Sequence, residues 1–198
     1  MKYRPDIWWV CVGCMLLATS LMAQMDVFAP ANDVSFAIST ERNDYGRDII
    51  TVKYQITDIG KGPLYVPRGF EATACVERQV GPHIWGGFEN SAGQHFEPGY
   101  ARSCGGTPGA PLPTVTERMS RVAVLLHPGE HLDGALKLDP GMFHLPPGAY
   151  RIRAVLHGWK DSQFSGEEQI DLAKLGNPFL SGDVTASTNI TLLSGGLR

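Results

Sequence analysis

A chain of 198 residues with 43% hydrophobic and 19% charged side chains has enough apolar material for one packed domain, which excludes wholesale disorder. Its net charge of −3 supplies no basic face and argues against a nucleic-acid partner. The 23 glycines and 14 prolines mark a turn-rich chain and argue against a mostly helical one.

Lys2 and Arg4 precede a stretch from Ile7 to Ala23 that carries no charged side chain and is dominated by Trp8, Trp9, Val10, Leu16, Leu17 and Leu21. A basic start, an apolar centre and a small residue at the end predict a signal peptide over 1–23, cleaved near Ala23, ahead of a single domain at 24–198. The apolar stretch sits at the lower edge of the ~17–25 residues of a membrane span, so a membrane anchor is expected only if it stays uncleaved. The body is expected in the periplasm or secreted, or otherwise anchored by this segment outside the cytoplasmic membrane.

Val34, Phe36 and Ile38 alternate with Ser35, Ala37 and Ser39, predicting a first strand. Ile50, Val52, Tyr54 and Ile56 alternate with Thr51, Lys53, Gln55 and Thr57, the clearest period of two in the chain. That strand runs into Asp58-Ile59-Gly60-Lys61-Gly62-Pro63, a turn cluster. Leu64 to Val66 form a short strand stopped by Pro67, and 72–80 reads as another. Residues 81–118 break the alternation and read as a long irregular loop. Beyond it, Val122, Val124 and Leu126 alternate into the turn His127-Pro128-Gly129-Glu130, and His131 to Leu138 return as a strand. Tyr150, Ile152, Ala154 and Leu156 predict a late strand, and Val184 to Leu192 a last one. Helical character is confined to Glu167 to Leu175, ended by Gly176, Asn177 and Pro178. About eight strands with one apolar face each predict an all-β fold, an antiparallel immunoglobulin-like β-sandwich. Within Leu145-Pro146-Pro147-Gly148-Ala149-Tyr150, a tyrosine opening a strand after a Pro/Gly turn suggests a tyrosine corner, its hydroxyl returning to backbone upstream.

Loss of 1–23 leaves Cys75 and Cys104 as the cysteines of the mature chain. Thiols oxidise outside the cytoplasm, so a Cys75–Cys104 disulfide is expected, worth ~3 kcal/mol in the chain-entropy account. A catalytic thiolate at Cys104 beside Arg102, and two free thiols, are the alternatives.

Three strand–turn pieces carry a family resemblance. They are Ile49–Ile56 followed by Thr57-Asp58-Ile59-Gly60-Lys61-Gly62-Pro63-Leu64-Tyr65, then Leu126-His127-Pro128-Gly129-Glu130, and Phe143-His144-Leu145-Pro146-Pro147-Gly148-Ala149-Tyr150-Arg151-Ile152. In order and character, roughly over 34–157, the chain resembles the immunoglobulin-like domains of bacterial exported proteins, and loosely the bacterial intracellular proteinase inhibitor family. The resemblance implies the fold and transfers no catalytic or binding residue.

Long irregular connections usually carry function. The aromatic side chains of Trp85, Phe88, Phe96 and Tyr100, with Arg102, are therefore candidates for a partner-binding patch, able to stack on a glycan or on the apolar surface of another envelope protein. The alternative is that these aromatics fold back as a satellite core. His127 and His131 stand four apart, but Pro128 and Gly129 between them make a turn rather than the helix that metal spacing needs. No metal or cofactor is implied. Arg151 and Arg153 lie on the face opposite Tyr150 and are expected in solvent, and Asn189-Ile190-Thr191 matches a glycosylation sequon, a pattern frequent by chance. No Gly-x-Ser-x-Gly elbow or phosphate loop occurs. The expected function is a non-enzymatic binding or adaptor module of the bacterial envelope. A proteinase inhibitor acting through an exposed loop and a small loop-assembled hydrolase are the alternatives.

Overall fold

The computed structural model describes residues 27–46, 48–68, 84–96 and 113–194. The predicted signal peptide at 1–23, the predicted strand at 72–80, and Cys75, Tyr100, Arg102 and Cys104 lie outside the described residues, as does the expected disulfide.

The chain is mostly β. Its strands are β1 (Phe28–Ala29), β2 (Val34–Thr40), β3 (Asp44–Tyr45), β4 (Ile50–Asp58), β5 (Leu64–Pro67), β6 (Ile84–Asn90), β7 (His95–Phe96), β8 (Ala123–Leu126), β9 (His131–Leu138), β10 (Gly148–His157), β11 (Phe179–Leu180) and β12 (Asp183–Leu192). Among the described residues two α-helices, α1 (Val115–Val122) and α2 (Gly166–Ala173), accompany them. The described strands form three sheets, in the orders β3-β12-β10-β6-β7, β2-β4-β9 and β1-β11-β5-β8.

In β4 the alternation of the sequence becomes an alternation of burial: Ile50, Val52, Tyr54 and Ile56 are buried while Lys53 and Gln55 face solvent. On the five-stranded sheet, Ile84, Phe88, Ile152, Ala154, Leu156 and Ile190 are buried in the same way. Both sets belong to one hydrophobic cluster, so these two sheets turn their apolar faces to a common core. Each buried Ile, Leu or Phe contributes roughly 1.5–3 kcal/mol of transfer free energy. At the margin of this core the Tyr150 hydroxyl donates to the Pro146 carbonyl oxygen at 2.8 Å, the return to upstream backbone expected of that tyrosine, and burial raises its phenol pKa. Tyr150→Phe is expected to cost about 1 kcal/mol in urea denaturation, the net worth of one such bond.

The pairing is not wholly antiparallel as the sequence suggested. β1 with β11, β11 with β5, and β12 with β3 pair in parallel. Each of these contacts joins short segments far apart in the chain, so no hairpin turn announces it.

The span 81–118, expected as an irregular loop, holds β6, β7 and the start of α1. β6 was hidden by Gly86 and Gly87, which read as loop residues. A Cβ at Gly86 would stand 3.2 Å from the Leu136 side chain of β9. Gly86 marks a close approach of the facing sheet, not a turn. Helix α1 was also missed, and its signal is present: Thr114 accepts from the Glu117 N–H at 3.2 Å while the Glu117 carboxylate accepts from the Thr114 N–H at 2.8 Å. This capping box precedes Val115, Met119 and Val122, the buried stripe of the helix.

Helix α2 repeats the device with Ser165 and Glu168. A second apolar cluster forms around these helices from Val115, Met119, Val122, Ala123, Trp159, Phe164, Leu172 and Phe179. Arg118 of α1 pairs with Glu168 of α2. The Thr114 backbone N–H holds the Glu117 carboxyl below its ordinary range, and the Ser165 backbone N–H, with help from Arg118, does the same for Glu168. Their folded pKa values lie below the unfolded ones. The stability they add is therefore present above the ordinary carboxylate value and is lost as pH falls through the depressed folded values. Denaturation midpoints at about pH 6 and about pH 3 should differ less in Glu168→Gln than in the unaltered chain.

Candidate functional site

The outward face of the five-stranded sheet carries an open recess. Register builds it. Arg151 of β10 stands opposite Glu89 of β6 on one side and opposite Asn189 of β12 on the other. Their neighbours Tyr150, Ile152 and Phe88 point into the core, so the pleat sends Glu89, Arg151 and Asn189 outward in one row across three strands. The recess is an open groove of about 690 Å³, to which Asn43, Ser91 and Thr191 also contribute.

Two local structures complete the rim. The β6–β7 turn is held by Asn90, whose side-chain oxygen accepts from the Ala92 and Gln94 N–H groups at 3.0 and 2.9 Å. Gly93 supplies the left-handed residue with φ 77°, and Ser91 is thereby fixed above the groove. On the other side, the Thr191 N–H donates to the Asn43 carbonyl oxygen at 2.7 Å and ties the segment before β3 to the edge of β12.

The electrostatics centre on Glu89. Its side chain is only 21% exposed, with Oε1 3.7 Å from Arg151 Nη1 and Oε2 3.7 Å from His95 Nδ1. Neither approach is a hydrogen bond, and Glu89 accepts none from the other described residues. The carboxylate is part-exposed and keeps acceptor capacity towards the groove. Arg151, 55% exposed, balances its charge, so the groove is close to neutral.

A smaller recess of about 350 Å³ lies at the end of the molecule where β9 turns into β10. Pro140, Leu145, Pro147 and Leu193 line it, and Met142 nearby is 71% exposed. The segment from Asp139 to Leu145 is wound into successive turns by bonds such as Met142 N–H to the Asp139 carbonyl oxygen at 3.0 Å. His144 takes a left-handed φ of 51° there.

Of the residues expected in an aromatic patch, Phe88 and Phe96 pack against the main core. Phe88 is 1% exposed and packs edge-on against Phe143 and Tyr150 in the main core. Phe96 is half-buried, edge-on to Tyr150 at 6.2 Å. The reason is the pleat: Phe88 occupies an inward position of β6, and β7 pairs Phe96 with it. Trp85 lies in β6 opposite Val155 of β10. Tyr100 and Arg102 lie outside the described residues. His127 and His131 flank a turn in which Gly129 has φ 84°, and no three metal-ligating side chains converge among the described residues. No helix among them is long and apolar enough to cross a membrane.

The chain matches no protein-family model and no curated protein sequence.

Proposed function

We propose that this chain is an exported, non-enzymatic binding or adaptor module of the bacterial cell envelope, built as an immunoglobulin-like β-sandwich, and that it binds through the groove of Glu89, Arg151 and Asn189. Export is read from Lys2, Arg4 and the apolar run Ile7 to Ala23. The sandwich reading is supported by the core shared between the β3-β12-β10-β6-β7 and β2-β4-β9 sheets and by the Tyr150 bond to Pro146. The observation that carries the functional reading is the outward row of Glu89, Arg151 and Asn189 across one groove, in which the part-exposed Glu89 carboxylate accepts no hydrogen bond from the described residues. Such a carboxylate has acceptor capacity open to a partner that donates to it.

Binding fits the groove better than hydrolysis does. Glycoside hydrolysis uses two carboxyl groups flanking the bond to be cleaved, and Glu89 is the one acid among the described lining residues. Among the described residues, the segment Asp139 to Leu145 is wound into successive turns and does not offer an extended segment to a protease cleft.

The test is a photo-crosslinking residue placed at position 189 of the full chain in its own host, with position 174 on the far end of α2 as control. Adducts formed from 189 and not from 174 are the expected result. No adduct from 189, or the same adducts from both positions, overturns the proposal.

A further inference from the structure

From the same groove, and resting on the binding reading above, we infer that the ligand is an uncharged carbohydrate. Three features of the site select that chemistry. The first is charge. Glu89 and Arg151 compensate each other across 3.7 Å, so neither an anion nor a cation gains a net Coulomb attraction. The second is the density and mixture of hydrogen-bonding groups. Asn43 and Asn189 each offer donors and an acceptor, Ser91 and Thr191 add hydroxyls, Arg151 donates and Glu89 accepts. A ligand that satisfies all of these carries closely spaced groups that both donate and accept, which is the character of a polyhydroxylated ring.

The third feature is position in the sheet. β12, β10 and β6 are the three interior strands of the order β3-β12-β10-β6-β7. β10, at the centre of the groove, is paired along both edges, so there the groove presents side chains rather than free backbone groups. Strands lie ~4.8 Å apart, so the row from Glu89 to Asn189 spans ~10 Å, a footprint for a short oligosaccharide rather than a monosaccharide. Within it, the Glu89 carboxylate accepts from paired ring hydroxyls, Arg151 donates to a hydroxyl or ring oxygen, and Asn189 does both.

The full chain is applied to a microarray of defined neutral oligosaccharides, including α- and β-linked glucans and chitin fragments, alongside Glu89→Gln, Asn189→Ala and the distant Lys174→Ala. Retention of at least one oligosaccharide class is expected, with a loss of about tenfold in Glu89→Gln and in Asn189→Ala, the cost of about one hydrogen bond each, and no loss in Lys174→Ala. Glu89→Gln preserves side-chain volume, and melting curves matching the unaltered chain exclude unfolding as the cause. Retention of no oligosaccharide, or retention indifferent to Glu89→Gln, overturns the inference. If the groove then still crosslinks a protein from position 189, the binding reading survives and the carbohydrate does not.

Discussion

Gly158→Ala is expected to lower the unfolding free energy by about 3–5 kcal/mol, enough to threaten the native state of a domain this size. A Cβ at 158 would stand 2.5 Å from the Leu180 carbonyl oxygen and 2.7 Å from that of Gly182. Both obstacles are backbone, so no side chain can swing aside. The same two carbonyl oxygens accept from the Gly158 N–H at 2.7 Å and the Trp159 N–H at 2.8 Å, which fasten the end of β10 to the strand pair that leads into β12. Forcing these segments apart also lifts Trp159 from its edge-on contact with Phe179, where it is fully buried. Urea denaturation followed by circular dichroism checks the value. A loss below about 1 kcal/mol would mean that the close approach is absent in solution.

Phe88→Ala is expected to cost about 3–5 kcal/mol, because it empties the space between Phe143, Tyr150 and the facing sheet. This variant separates two roles that the sequence left open. A core Phe88 makes the chain less stable wherever its partner binds. A Phe88 displayed to a partner would weaken binding and leave the denaturation curve where it was. The burial of 1% predicts the first outcome.

These residues show what the sequence made legible. β2, β4, β9, β10 and β12 follow from a period of two because each has one face in the core and one in solvent. Helix α2 follows from its stop signals at Gly176, Asn177 and Pro178. β6 does not follow, since the pair Gly86-Gly87 reads as loop although Gly86 stands where the facing sheet approaches, and proximity between sheets leaves no trace in local pattern. The second cluster is equally hidden. Trp159, Phe179 and the stripe of α1 come from separate stretches that meet only once β11 inserts between β1 and β5.

The site was legible in fragments. Arg151 faces solvent as its place on the face opposite Tyr150 predicts, and Asn189 stands in the sequon Asn189-Ile190-Thr191. Nothing in the order of residues joins them to Glu89, because that needs the register of β10 against β6 and β12 together. The aromatic residues drew attention by type, yet strand alternation decided where Phe88 went. Polar residues on an outward face are the default expectation of any half-buried sheet. What distinguishes Glu89 is its place in one row with Arg151 and Asn189, a property of three dimensions.

The most direct measurement is a nuclear magnetic resonance titration of the isotopically labelled full chain with solubilised envelope extract from its host. Shifts or broadening concentrated at the amides of Glu89, Arg151, Asn189 and Thr191 are predicted. Changes confined to Lys53, Gln55 and Asp133 on the outer face of the β2-β4-β9 sheet, or to Met142 and Leu193 at the apolar end, with the groove amides unmoved, would contradict the account.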